Sequence, residues 1–178
     1  MQKKKELLKE YVTKNIDRLY RLAFSYSKTE QYAEDIVNES VVRALVAIDT
    51  LRNEEYIGTW MYRIVINTAN TYLKKQAKII YLDDSMIEDG SSDKYRDVDL
   101  YKEIMRLEDK YRIIIVLRFF EDQSIEKIAE ILSENVNTVK TRLYAALDKL
   151  KKNMGKDVEI NEKSFWWGKR KVRNDYGT

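Results

Sequence analysis

Apolar side chains recur along this chain at three- and four-residue steps, the spacing that gathers them on one face of an α-helix. Over about 3–26 the stripe is Leu7, Tyr11, Leu19, Leu22, Ala23 and Tyr26, and a polar break at 28–31 ends it. A second stripe over about 32–51 buries Ala33, Ile36, Val37, Ser40, Ala44 and Ile48 and leaves Glu34, Asp35, Asn38, Glu39 and Arg43 outside. Residues 52–56 read as a loop. A third helix, about 57–76, turns Ile57, Trp60, Met61, Ile64, Thr68 and Tyr72 inward. Three such faces close into a compact helical bundle.

The period lapses over 78–99 and returns over 100–120 with Leu107, Tyr111, Ile114, Ile115 and Leu117. The run Ile113-Ile114-Ile115-Val116 taken alone also suits a buried strand, but continuity with the hairpin pattern beyond it favours helix. A short helix comes next, capped by Ser124, with Glu126 in its first turn and Ile125, Ile128, Ala129 and Leu132 on one face. Ser133, Glu134 and Asn135 break the pattern with side chains suited to turn backbone. Val136, Val139, Leu143, Ala146 or Leu147, and Leu150 restart it. This last helix points Asn137, Thr138, Lys140, Thr141, Arg142 and Tyr144 outward in its first two turns. A helix-turn-helix puts that end of its second helix into the major groove. A plain amphipathic hairpin with a solvated polar face has the same periodicity.

Proline is absent and glycine occurs five times, so the helical patterns meet few breakers and the expected fold class is all-α. The chain has 178 residues, 44% of them apolar, which suits two small helical domains. These are an amino-terminal bundle over 1–77 and a helix-turn-helix domain over 100–152. Neither cysteine nor histidine occurs. That removes disulfides, thiolate metal sites and histidine-based acid–base chemistry together, so enzyme activity is not expected. The basic amino terminus lacks an apolar core of signal-peptide length, and no stretch approaches the roughly 18 apolar residues of a membrane span. The cytoplasm is the expected location.

Net charge is +3 but unevenly spread: +3 over 1–76, −4 over 77–110, +2 over 111–155 and +2 over 156–178. Two basic domains flank an acidic connector at 78–99, where Asp83, Asp84, Glu88, Asp89, Asp93, Asp97 and Asp99 accompany Gly90, Ser91 and Ser92. That is the composition of a flexible linker. Residues 153–178 form a tail in which Phe165, Trp166 and Trp167 precede Lys169, Arg170, Lys171 and Arg173. It would suit a membrane interface, nucleic acid or a partner groove, and a frayed terminus is the plainer reading. On the third helix, Arg63, Asn67, Asn70, Thr71 and Lys74 make a polar and basic stripe opposite the apolar one. Basic grooves with pockets for unstacked bases hold single-stranded DNA, and the loop of Arg52, Asn53, Glu54, Glu55 and Tyr56 stands at the head of this helix. Trp60 would serve there as a stacking platform, but its place on the apolar stripe favours the core.

IAEIL, a short turn and TVKTRL together resemble the carboxy-terminal helix-turn-helix of extracytoplasmic-function sigma factors, a hairpin that LuxR-type regulators share in part. AEDIVNES followed by RNEEYIGTWMYRIVINTANTYLKK is similar to the most characteristic part of the same sigma family, and LEDKYRIIIVLRFFEDQS matches its lead-in to the hairpin. The likeness spans about 7–152. It implies an alternative sigma subunit that binds core RNA polymerase, reads the minus-thirty-five element and melts the minus-ten element, with catalysis left to the polymerase. Core docking carries over to Asp35, Ile36, Asn38, Glu39, Val42 and Arg43, and a flipped minus-ten base to the 52–56 loop. The linker would run through the polymerase cleft. An anti-sigma factor, often membrane-anchored, is the further partner implied, and neither a cofactor nor a small-molecule substrate is.

The chain departs from the family pattern at several places. Asn53 stands where glycine is common, and asparagine tolerates a left-handed backbone. Glu108 replaces a common proline. Ser133 and Glu134 replace glycine and an apolar residue, which leaves Val136 to plug the turn, and Ala145 and Leu147 stand where arginines often extend the recognition helix. Competing readings are an autonomous helix-turn-helix regulator of duplex DNA and a helical adaptor.

Overall fold

A computed structural model describes the backbone of residues 2–80 and 96–154, with side chains at 2–76 and 100–154. Every regular element among the described residues is helical, and the chain divides into two compact units, Met1–Asp89 and Gly90–Thr178. In the first unit α1 (Gln2–Ser27), α2 (Glu30–Ala47) and α3 (Ile57–Ile80) pack pairwise into a bundle. Thr29 caps α2 by accepting from the Tyr32 N–H, while Lys28, at φ 60, supplies the left-handed step that ends α1. Two 3₁₀ turns, Ile48–Thr50 and Glu54–Tyr56, carry the chain from α2 to α3.

The core of α2 is the one read from periodicity: Ala33, Ile36, Val37, Ser40, Ala44 and Ile48 are all buried. Two stripes need correction. On α1 it is Leu8 that is buried, while Leu7 is half-buried. Leu8 precedes Leu19 by about three whole helical turns and so shares its face. The helix is also broken at Asn15, whose φ of −122° and ψ of 15° are not helical. On α3 the inward face is rotated: Tyr62, Val65, Ile66 and Ala69 join Ile57, Met61 and Thr68 in the core, leaving Trp60, Ile64 and Tyr72 half-buried. A helix touching two neighbours buries a wider arc than one stripe. Gly58 lets α1 approach, since a Cβ there would lie 3.2 Å from the Tyr11 Oη.

In the second unit α4 (Arg96–Arg106), α5 (Asp109–Ile115) and α6 (Ile125–Leu132) are shorter, and α4, α5 and α6 all pack on α7 (Val136–Met154). The stretch expected as one pattern over 100–120 is broken at Leu107–Glu108 and ends in a π-helical turn, Val116–Phe120. The Ile113–Val116 run is helical and buried. Glu108 adopts φ −57°, the value proline would impose, so the substitution leaves the helix start intact. Arg112 is fully buried: its guanidinium donates to the Leu107 and Met105 carbonyls that end α4 and to the Asp109 carboxylate. Periodicity did not mark it, because a charged residue at an inward position reads as an exception to the stripe.

The helices reach further than the domain limits expected: α3 runs to Ile80, α4 starts at Arg96 and α7 continues to Met154. The acidic residues at 83–93 and the aromatic-basic tail beyond 154 lie outside the described residues.

Candidate functional site

Ser124 caps α6 by accepting from the Lys127 N–H at 3.2 Å. The Glu126 carboxylate beside it is held below its ordinary range by its own backbone N–H and then by the Ser124 hydroxyl. On α6 Ile128, Ala129 and Ile131 are buried, and Leu132 and Ile125 are half-buried, so Ile131 replaces Leu132 in the core. Ser133 ends the helix in the left-handed region at φ 54°, ψ 42°, the conformation for which glycine is common. Asn135 then accepts from the Asn137 N–H at 2.8 Å and starts α7. Val139, Leu143, Ala146 and Leu150 face the core, which decides for Ala146 over Leu147; Val136 is half-buried.

The six outward residues of α7 do not share one ridge. Asn137, Thr141 and Tyr144 follow one another at helical steps, with Lys140 flanking them, and all four are exposed, Tyr144 by 65%. The Thr141 hydroxyl donates to the Asn137 carbonyl, leaving its oxygen to accept. Thr138 and Arg142 lie half-buried on the opposite flank from Lys140, and Arg142 is already paired with Glu134 at 3.0 Å. Asp148 continues the ridge one turn on and separates Lys140 from the basic residues of the last turns, Lys149, Lys151 and Lys152.

In the first unit Asn67, Asn70, Thr71 and Lys74 are exposed along α3, with Arg63 half-buried at their head. Trp60, half-buried rather than in the core, stands one turn before Arg63, between the stripe and the loop. Arg52, Asn53, Glu55 and Tyr56 are exposed. Asn53 is extended, at φ −128° and ψ 126°, and caps the Glu54–Tyr56 turn through the Glu55 N–H, so no left-handed residue is needed there. Glu54 pairs with Lys3 at 3.3 Å. The two glutamates would repel phosphate, which leaves base donors as what they can accept.

On α2 the outward face carries Asp35, Asn38, Glu39 and Val42, with Arg43 paired to Glu39. Ile36 is fully buried in the bundle and holds the helix in place without reaching the surface. Sequence reasoning missed Leu45 and Val46, which with Val42 form an exposed apolar run, Val46 by 83%. Their three- and four-residue spacing from Val42 was the available signal. The Asp35 carboxylate accepts from the Tyr72 hydroxyl of α3 at 2.6 Å, a bond that pushes the phenol above its ordinary range.

Residues 11–79 match the family Sigma-70 region 2, and 97–150 match Sigma-70, region 4. RNA polymerase sigma factor SigV of Bacillus subtilis is 47% identical over 86% of this chain and 94% of its own length. ECF RNA polymerase sigma factor SigW of the same organism is 31% identical over 78% of this chain and 83% of its own length. Among solved structures, the sigma factor RpoE of Bartonella quintana, in complex with the anti-sigma factor NepR, superposes with a TM-score of 0.73 at 22% identity, covering 84% of this chain and 98% of that one. CnrH, in complex with the cytosolic domain of CnrY, gives 0.63 at 22% identity over 85% of this chain and 89% of that one. At those identities the two superpositions speak for the fold.

Proposed function

Since this chain belongs to the sigma-70 family, in its extracytoplasmic-function branch, we propose a division of labour among its exposed faces for the initiation of transcription that an alternative sigma factor directs. The face of α2 built from Asp35, Asn38, Glu39, Val42, Leu45 and Val46 docks core RNA polymerase. An apolar run left in water beside carboxylates fits a protein partner better than DNA. The α3 stripe and the 52–56 loop take the minus-ten strand. Asn137, Thr141 and Tyr144 of α7 read minus-thirty-five base edges, and Lys140 holds phosphate. Arg142, engaged by Glu134, serves the hairpin.

The observation that carries this reading is that both regions occur in one chain, each folded as its own unit with its own outward face. An anti-sigma factor accompanies RpoE, and we extend that class of partner to this chain. No described helix is long and apolar enough to cross a membrane, and the cytoplasm, where core polymerase works, is the proposed location. Nucleotide chemistry stays with the polymerase.

A mobility-shift and transcription assay with and without core enzyme tests the whole reading. Each unit offers few DNA contacts, so the lone protein should bind duplex promoter weakly at physiological salt and confer promoter-specific starts once core is added. Operator binding at about nanomolar affinity by the protein alone, with no start conferred on core, would instead identify an autonomous regulator.

A further inference from the structure

The first turn of α1 carries Lys3, Lys4 and Lys5 and no acidic residue, a charge that opposes the helix dipole. Lys4 finds compensation 47 residues away, where its Nζ donates to the Leu51 carbonyl at 2.8 Å and also to the Asp49 carbonyl at 3.4 Å. The chain at that point has just left α2. The 3₁₀ turn Ile48–Thr50 has closed through the Leu51 N–H to the Ile48 carbonyl, and Leu51 is extended with its side chain buried. Carbonyls at such an end have no partner within the helix, and an ammonium with three donors meets both the need and the negative end of the dipole. Lys3 behaves differently. Its pairing with Glu54 joins side chains that are 84% and 41% exposed, a geometry worth little. On the other side of the loop Tyr11 covers Gly58. The part of α1 before the Asn15 break therefore braces residues 52–56 at both ends, and residues 1–10 lie outside the region 2 match.

We propose that Lys4 is a positioning residue for the 52–56 loop, fixing the carbonyls from which the loop departs so that it stands preformed when the minus-ten strand arrives. This rests on the proposed assignment of the loop to that strand. The test uses the full-length protein with core enzyme and compares Lys4→Met, which keeps the alkyl stem, with Lys4→Arg and Lys3→Ala. Loss of the ammonium should slow open-complex formation on duplex promoter about tenfold, the scale of one charge-assisted hydrogen bond. Affinity for core should not change, and amide exchange should quicken over 51–56 while α3 stays protected. Lys4→Arg should recover most of the rate, and Lys3→Ala should leave it near wild type. Wild-type opening by Lys4→Met overturns the proposal, as does a general loss of protection across the bundle, which would make Lys4 a stability residue. Alanine at Arg52 and Tyr56 separates the two layers: normal opening by those variants refutes the loop assignment itself, whereas impaired opening there with wild-type Lys4→Met refutes Lys4 alone.

Discussion

In the amino-terminal unit the buried polar side chains are hydroxyls, Ser25, Ser40, Thr59 and Thr68, whereas the carboxy-terminal unit buries Arg112 and Glu121. Ser25 and Ser40 donate to the Leu22 and Ile36 carbonyls of their own helices. Helix length accounts for the contrast. The bundle is made of three long helices whose ends lie outside its middle, so its core holds small hydroxyls, bonded locally at Ser25 and Ser40 and left without a partner among the described residues at Thr68. In the second unit α4, α5 and α6 are short, and the end of α4 falls inside the core they build on α7, where the Leu107 carbonyl would be stranded without the Arg112 guanidinium. The surfaces run the other way: the bundle exposes an aliphatic run on α2, and the second unit exposes Tyr144 among polar groups. Buried charge thus goes with the short helices around α7, and the exposed aliphatic run with a helix of the bundle.

Three experiments would break or sharpen this contrast. Arg112→Met should have the largest effect, because it leaves the Leu107 carbonyl and the Asp109 carboxylate without their cation. Asp109 is 66% exposed and returns to water, so the cost is that of the Leu107 and Met105 carbonyls, about 1–3 kcal/mol each, or about 2–5 kcal/mol for the second unit. Amide exchange resolved by unit should show protection lost across α4–α7 and kept across α1–α3; parallel loss in both would deny that the two cores are separate. Val46→Asp comes next. It should weaken core polymerase binding by about 2–4 kcal/mol, as a centrally placed contact does, and change unfolding stability by less than about 0.5 kcal/mol. Titration of labelled protein with core measures the first, denaturant unfolding the second, and unaltered core affinity would remove α2 from the docking face. Smallest are the changes on α7: Thr141→Ala or Tyr144→Ala should shift preference among minus-thirty-five variants by about 1–3 kcal/mol per contact. Lys140→Ala should weaken all sequences alike and flatten the salt slope by about 0.9. A promoter library read at two salt concentrations distinguishes these, and identical profiles for Lys140→Ala and Thr141→Ala would erase the split between base and phosphate contacts.

The all-helical class, the hairpin and the core of α2 were legible because each depends on a single face repeating at helical period, as Ala33 to Ile48 shows. The α3 core was only partly so. A helix wedged between two neighbours buries Tyr62, Val65 and Ile66 on an arc that no single stripe describes. Leu45 and Val46 were hidden for the opposite reason, since apolar residues on an outer face look like extra core until the bundle is assembled. Arg142 reads as a DNA contact from charge and position; its pairing with Glu134 across the turn needs coordinates. The same holds for Lys4, whose acceptors are backbone carbonyls and leave no mark in the side-chain pattern.

Ser133 sits between α6 and α7 with a positive φ. A side chain held in that conformation costs about 1 kcal/mol in the native state relative to glycine. Glycine, however, gives up more freedom on folding, an unfolded-state term of about 0.4–1 kcal/mol in the other direction. At a positive φ the strain outweighs that gain, so Ser133→Gly should be neutral to mildly stabilising and leave the hairpin undisturbed. Its neighbours have no such freedom: Glu134 holds Arg142 and Asn135 caps the next helix, and any change to either is felt on the face proposed to meet the promoter.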